Sequence, residues 1–130
     1  MVDFTALERA VFAAISAPPA ETGDLRLTQL LASANPKERE RSAHGFFTTF
    51  AVDVGLPPLS IRRGVIDGPD LLVAAGPHLL QMGFALWVDE AGYPECLEGF
   101  QYGSSAGRPL DLEGVELAEL APAGAYVRSA

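Results

Sequence analysis

The chain contains few cysteines and no long hydrophobic run, and each shortage excludes a class of protein. Its 130 residues include a single cysteine, Cys96, which excludes an internal disulfide and a cysteine-cluster metal site. No apolar stretch approaches the roughly 18 residues that a membrane span needs. Asp3, Glu8 and Arg9 interrupt the amino terminus, so it does not resemble a secretory signal. We therefore expect a cytoplasmic protein with no membrane association.

Basic residues are scarce in the second half of the chain. Residues 1–63 carry seven acids and seven bases, whereas residues 64–130 carry ten acids and two bases, Arg108 and Arg128. The whole formal net charge of -8 therefore comes from the second half. Such a field repels nucleic acid and anionic membranes, and it favours either simple solubility or a basic protein partner. We expect no binding to nucleic acid.

Recognisable catalytic motifs are missing as well. The sequence has no phosphate-binding loop, nucleophile elbow, zinc-binding helix motif or dinucleotide fingerprint. Apolar residues make up 48% of the chain and charged residues 20%, which is typical of a globular protein and not of a disordered one. A chain of this length fits one domain, residues 1–130. We expect no cofactor, and the sequence favours a non-enzymatic function.

Two short amphipathic helices are predicted at the start of the chain. On the first helix, apolar residues recur at three- and four-residue spacing: Phe4, Leu7, Val11, Phe12 and Ile15. Asp3 can cap this helix, and Thr5 with Glu8 offers an alternative capping box. A second helix follows and is ended by Asn35-Pro36.

The rest of the chain has the two-residue period of strands. A charged link over residues 37–41 leads to a predicted strand over 46–54, and Gly45 before it suggests a bulge or a bend. A run over 61–75 is interrupted at residues 67–70, so it predicts either a hairpin, which we prefer, or one bulged strand.

The segment 81–103 predicts the central hairpin. Its first strand ends at a turn over 89–92, where Gly92 supplies a positive φ, and the second strand returns over 93–102. Residues 111–120 fit a last strand, although their spacing also accepts a helix. Helices first and strands afterwards predict an α+β fold, with two N-terminal helices packed on an antiparallel sheet of five or six strands in a meander.

Three short segments carry a resemblance to known sequences. They are Ala43–Phe50, Gly83–Val88 and Leu97–Tyr102. Together they resemble a family of short uncharacterised bacterial proteins with a Gly-Phe-Phe-Thr strand and a Gly-Phe hairpin that closes in Leu-Glu-Gly-aromatic. The resemblance implies no catalytic residues. The chain departs from that family at Ser104–Pro109, where the family would have acidic residues and a Trp-Pro pair.

Glu98 is the most interesting acid for function. Its strand face also holds Cys96, Phe100 and Tyr102, and a carboxylate on a partly apolar face can act as a general acid or base. On a solvent-exposed face, Glu98 would instead pair with a cation across the strands. Gly99 beside it permits the close approach of a ligand or of a neighbouring strand.

The remaining candidates are two histidines, the cysteine and a group of arginines. His44 and His78 could meet only through the fold, and with Glu98 they could form a facial metal triad, although capping or surface roles are commoner, so we predict no metal site. Glu95 and Glu98 flank Cys96 and should raise its pKa. Four arginines could form a basic patch: Arg39, Arg41, Arg62 and Arg63.

Large aromatic rings on one strand face complete the prediction. Phe47, Trp87, Phe100 and Tyr102 are too many rings for one exposed face, so we predict a homodimer or a partner-binding surface there. The favoured function is a non-catalytic binding or protein-interaction module with an acidic surface. The alternative is a small-molecule-binding protein or minor enzyme centred on Glu98 and Tyr102. A pocket in which Glu98 and a histidine converge would favour this alternative.

Overall fold

The computed structural model describes residues 3–16, 25–42, 45–112 and 117–122, and for 118–122 it describes the backbone alone. Within these residues, two helices come first and seven strands follow them. The elements are α1 (Ala6–Ser16), α2 (Leu25–Ala32), β1 (Asn35–Arg41), β2 (Gly45–Ala51), β3 (Val65–Asp67), β4 (Leu71–Ala75), β5 (His78–Val88), β6 (Pro94–Ser104) and β7 (Leu117–Pro122). This confirms the predicted α+β class with N-terminal helices.

All strand pairs are antiparallel, and the order across the sheet is β1-β2-β6-β5-β4-β7. Only β4, β5 and β6 follow one another as a meander, because β2 joins the far side of β6 and β7 joins the far side of β4. The meander prediction is therefore correct for the middle of the sheet alone. The central pair, β5 and β6, is the predicted hairpin. Its turn contains Gly92 at φ 94°, as expected.

The segment between residues 61 and 75 does not form a hairpin. β3 and β4 do not pair with each other; both pair with the same side of β5, β3 at residues 85–87 and β4 at residues 78–82. They are one interrupted strand, and the backbone N–H of Gly68 at the interruption donates to the carbonyl of Phe84 at 2.8 Å. The preferred hairpin was wrong, because β5 is long enough to pair with both pieces.

The charged residues 37–41 also depart from the prediction, since they belong to β1 rather than to a link. Their register against β2 places Glu38 and Glu40 on one face of the sheet and Arg39 and Arg41 on the other. A run of charges reads as a loop when each side chain is assumed to need water. On one face of β1, Arg39 pairs with the buried carboxylate of Glu8, as described below, and Glu38 and Glu40 lie on the exposed face. Alternating charges are therefore compatible with a strand.

One hydrophobic core lies between the helices and the sheet. The helices contribute Leu7, Val11, Phe12, Ile15, Leu27, Leu30 and Leu31, and the strands contribute Phe46, Phe50, Val73, Leu80, Met82, Phe84, Leu86 and Leu97. Phe4, Phe12 and Phe50 pack edge to face with ring centroids 5.1–5.9 Å apart. Such contacts fix α1 against β2 beyond the effect of area alone. The strand predicted over residues 111–120 is confirmed from residue 117, where β7 begins; residues 111–112 are not in a strand, and residues 113–116 lie outside the described residues.

Gly45 was expected to mark a bulge or bend, but its pairing with Phe100 continues the regular register of β2 against β6. Its role is close packing of backbone. A Cβ atom at Gly45 would lie 1.9 Å from the carbonyl oxygen of Gly99, a distance that no side chain can tolerate. Glycine is therefore required here by the approach of the neighbouring strand.

Candidate functional site

The first turn of α1 carries a buried carboxylate that sequence reasoning used only as a capping residue. Thr5 and Glu8 form the capping box, with the Thr5 N–H donating to Glu8 Oε1 at 2.8 Å and the Glu8 N–H donating to Thr5 Oγ1 at 3.1 Å. The alternative cap is therefore the observed one. Asp3 instead accepts from the Phe4 N–H and pairs with Arg9.

Glu8 is 1% exposed and lies at the centre of a polar network under the helix. Arg39 from β1 donates to both carboxylate oxygens, through Nε to Oε2 at 3.0 Å and through Nη2 to Oε1. Thr48 from β2 is also buried and donates its hydroxyl to Oε2. Every acceptor is thus matched by a donor, which is what a buried charge requires. This network anchors α1 to the β1–β2 edge of the sheet.

The proposed arginine patch does not form as a unit. Arg39 binds Glu8, Arg63 pairs with Glu90, and Arg62 donates to the carbonyl of Leu59. Arg39 and Arg41 lie instead beside the first turn of α1, where they line a groove of about 820 Å³ together with Phe46 and Leu117. The arginines therefore serve local structure in two separate regions.

The opposite face of the sheet, away from the helices, holds the predicted aromatic rings. Phe47 is 43% exposed, Trp87 42%, Phe100 39% and Tyr102 52%. Register places Phe47 directly opposite Glu98 and Trp87 directly opposite Cys96, so these side chains share one face. We call this surface the open face. Strand alternation defines it: Glu38, Glu40, Phe47, Thr49, Val65, Asp67, Trp87, Cys96, Glu98, Phe100 and Tyr102.

Acidic side chains run across the open face in one line. Successive cross-strand partners are Glu40 on β1, Phe47 on β2, Glu98 on β6, Ala85 on β5 and Asp67 on β3. With strands about 4.8 Å apart, this carboxylate row is about 19 Å long. No lysine or arginine occurs in any of β2 to β6. The row therefore has no cationic neighbour within the central strands.

Glu98 lies in the middle of the carboxylate row and is held in place by tryptophan. Trp87 Nε1 donates to Glu98 Oε1 at 3.0 Å, and the Glu98 carboxylate has no other hydrogen bond to the described part of the chain. Its cross-strand neighbours are Phe47 and Ala85, so the ion pair expected for an exposed Glu98 is not present among the described residues. The carboxylate is oriented, and its second oxygen receives no hydrogen bond from the described residues.

Cys96 lies beside Glu98 on the same face. Burial, and then the charges of Glu95, Glu98 and Glu40, raises the pKa of the Cys96 thiol from an ordinary value of 9.0 to about 11. The sequence predicted this direction from the two flanking glutamates. The fold adds Glu40, which reaches the site from β1 two strands away. At neutral pH the group is a thiol, which is a poor nucleophile and a poor metal ligand.

The other predicted site residues are dispersed. Gly99 is buried on the helix side, and a Cβ atom there would lie 2.5 Å from the Phe46 ring, so its role is packing. His78 begins β5, opposite Ala75, and is about 23 Å along the strand from the Glu98 position. His44 lies outside the described residues. The structure therefore brings together Glu98 and the rings, but not Glu98 and His78.

Tyr102 is the extra residue of a bulge in β6, opposite Gln81 and Met82. Burial, and then the charge of Asp70 and a hydrogen bond to it, raises the Tyr102 pKa. Tyr102 and Arg108 line a shallow pocket of about 240 Å³, which Glu98 does not line. Tyr102 is about 13 Å along the strand from Glu98, so the two residues do not form one pocket.

No family model, no curated protein and no solved structure matches the chain. Among the described residues, no group of three or more His, Cys, Asp or Glu side chains could hold a metal ion. None of the described helices is long and apolar enough to cross a bilayer. The resemblance to short bacterial proteins therefore stays a prediction.

Proposed function

We propose that this protein is a non-catalytic interaction module that binds a basic protein through its open face. One observation carries the proposal: the carboxylate row crosses a face whose aromatic rings are exposed and whose central strands contain no lysine or arginine. Exposed rings supply contact area, and the acids supply selectivity and attraction for a cationic surface.

The separation of the candidate catalytic groups supports this function over the small-molecule alternative. Glu98 and His78 lie far apart along β5 and β6, and Cys96 is held as a thiol by its raised pKa. Neither cavity described above is lined by Glu98. General acid–base chemistry needs groups that converge on one reacting atom.

Charge also favours a different protein over a second copy as the occupant. In an isologous dimer, the same patch meets itself, so the acids at positions 40, 67 and 98 would be brought towards the acids of the other copy. Like charges in an interface oppose association unless cations intervene. A partner rich in arginine or lysine supplies those cations. Self-association is therefore the competing outcome that the experiment must distinguish.

The sheet edge is a poorer candidate for binding than the open face. β1 forms one edge of the described sheet, and it carries Pro36, five successive charged residues at 37–41 and a register shift between Pro36 and Glu38. Proline, charges and bulges are features by which edge strands avoid pairing with other chains. Contacts through side chains on the face are thus favoured over added strand pairing.

The test compares two bait variants, each with two acidic residues replaced by lysine, either on the open face or in loops. The bait variant Glu40→Lys/Glu98→Lys alters the open face, and Asp53→Lys/Glu90→Lys makes the same net charge change in loops. Proteins captured from native cell extract are identified and purified, and direct binding is measured by calorimetry at low and high salt.

The proposal expects a basic protein that binds wild type and the loop variant, with salt-sensitive affinity, and that binds the open-face variant at least tenfold more weakly. Equal binding by both variants would overturn it. Light scattering that shows a dimer abolished by Phe47→Ser, with no purified partner that binds, would identify a second copy as the occupant and would also overturn it.

A further inference from the structure

The centre of the carboxylate row has the composition of a site for a single organic cation. Glu98 lies between Phe47 on β2 and the small Ala85 on β5, and Trp87 lies two residues further along β5. Side chains directly opposite each other on adjacent strands have Cβ atoms about 5 Å apart. The carboxylate therefore has the Phe47 ring on one neighbouring strand and the Trp87 ring on the other, and both rings are partly exposed.

The carboxylate is oriented before any partner arrives. The hydrogen bond from Trp87 Nε1 to Glu98 Oε1, at 3.0 Å, fixes both side chains relative to each other. Oε2 receives no hydrogen bond from the described residues. Among the described residues Oε2 is thus an acceptor available to a donor of the partner, and the hydrogen bond from Trp87 lowers the side-chain entropy that binding must remove.

The rings are available to the same cation. Phe47 and Trp87 are each more than 40% exposed, although both are large apolar side chains on a sheet face. A guanidinium or ammonium group over an aromatic face, within about 6 Å of the ring centre, is attracted by the ring quadrupole. The pair of rings beside one anchored carboxylate accommodates a cation better than a neutral apolar side chain, which would bury the carboxylate without a partner.

We infer that Phe47, Trp87 and Glu98 form a recognition site for one arginine side chain of the partner. A guanidinium is planar, so it can stack on a ring and donate in its own plane to Oε2 at the same time. A lysine ammonium has no flat face and keeps its hydration more strongly, so it should bind more weakly. This inference rests on the proposed function and names the residue that the open face selects.

The test uses the indole N–H of Trp87, because Trp87 is the chain's single tryptophan and gives one resolved NMR signal. ¹⁵N-labelled protein is titrated with hexa-arginine, with hexa-lysine and with hexa-citrulline, which keeps the shape of arginine without its charge. Hexa-arginine should move the indole signal, hexa-lysine should do so at higher concentration, and hexa-citrulline should leave it unmoved.

Three variants locate the site. At about 0.15 M salt, Glu98→Gln should weaken hexa-arginine binding roughly threefold to tenfold, because one oriented charge is lost. Asp67→Asn removes a charge from the same row but two strands, or about 10 Å, away. At the same salt concentration the Debye length is about 8 Å, so Asp67→Asn should weaken binding by less than about twofold, since Asp67 also lacks the flanking rings. Phe47→Leu should reduce the preference for arginine over lysine.

The outcomes separate this inference from the proposed function. If hexa-arginine shifts open-face amides but Glu98→Gln and Asp67→Asn weaken it equally, or the Trp87 indole signal stays fixed, the arginine site is wrong and a diffuse attraction for basic proteins remains. If hexa-arginine moves no open-face signal of the wild type at low salt, both the site and the proposed function fail. The dispersed amide spectrum of each variant checks that it is folded.

Discussion

The buried Glu8–Arg39 pair gives a quantitative prediction about stability. Arg39→Met removes the cation and keeps most of the side-chain volume, which leaves the 1% exposed Glu8 without its counter-ion. Breaking a buried ion pair by removing one partner costs about 3–5 kcal/mol. The Arg39 side chain is 16% exposed, so water can reach part of the site and the lower end applies. We expect a loss of about 3 kcal/mol.

A loss of that size is large for a single domain, whose total stability is about 5–15 kcal/mol. It corresponds to a fall of about 10–15 °C in Tm for a chain of this length. Thr48→Val removes one donor to the same carboxylate and should cost about 1 kcal/mol. Glu8→Gln keeps the acceptor shape but removes the charge, so it should cost about 1.5–3 kcal/mol.

Urea unfolding followed by far-ultraviolet circular dichroism measures these free energies. Arg9→Met is the matched control, since Arg9 forms an ion pair with Asp3 in which both side chains are more than 60% exposed. An exposed pair contributes less than about 1 kcal/mol. The double variant Glu8→Gln/Arg39→Met should lose at least 1 kcal/mol less than the sum of its single variants. Equal losses for Arg39→Met and Arg9→Met would refute the reasoning.

Three further predictions concern titration and backbone packing. Cys96 has a pKa of about 11 against an ordinary value of 9.0, so at pH 8 iodoacetamide should alkylate it roughly 100-fold more slowly in the folded protein than in urea. The alkylation rate of the folded protein should rise until the pH passes 11, and equal rates in the folded and unfolded protein would contradict the raised pKa. Asp70→Asn should lower the raised Tyr102 pKa towards its ordinary value without fully restoring it, because burial is the larger cause, and an unchanged ¹³Cζ titration would exclude the Asp70 contribution. Gly45→Ala should lower the free energy of unfolding by more than about 3 kcal/mol or prevent folding, because the new Cβ atom would clash with the carbonyl oxygen of Gly99. Gly76 has φ 60° and open space around it, so Gly76→Ala should lower the free energy of unfolding by about 1 kcal/mol. Thermal unfolding compares the two variants.

The amino-acid pattern determined the elements whose local signals agree with their surroundings. The apolar spacing of α1, the alternation along β5 and β6, and the glycine in their turn all follow from short-range chemistry, and the structure contains them. The shared face of Cys96, Glu98 and Phe100 within β6 also followed from strand alternation, because side chains on a strand point alternately to its two faces.

The tertiary structure decided the features that depend on pairing between distant segments. β1 is a strand because it pairs with β2, and its Arg39 meets Glu8 across 31 positions in sequence, a partner that no local pattern reveals. β3 and β4 are one broken strand because β5 is long enough to template both. Alternation along the sequence predicts which residues of one strand share a face. The strand order β1-β2-β6-β5 and the register between these strands place Glu40, Phe47 and Glu98 in one row. Register depends on pairing between segments that are distant in sequence, so only the tertiary structure decided it.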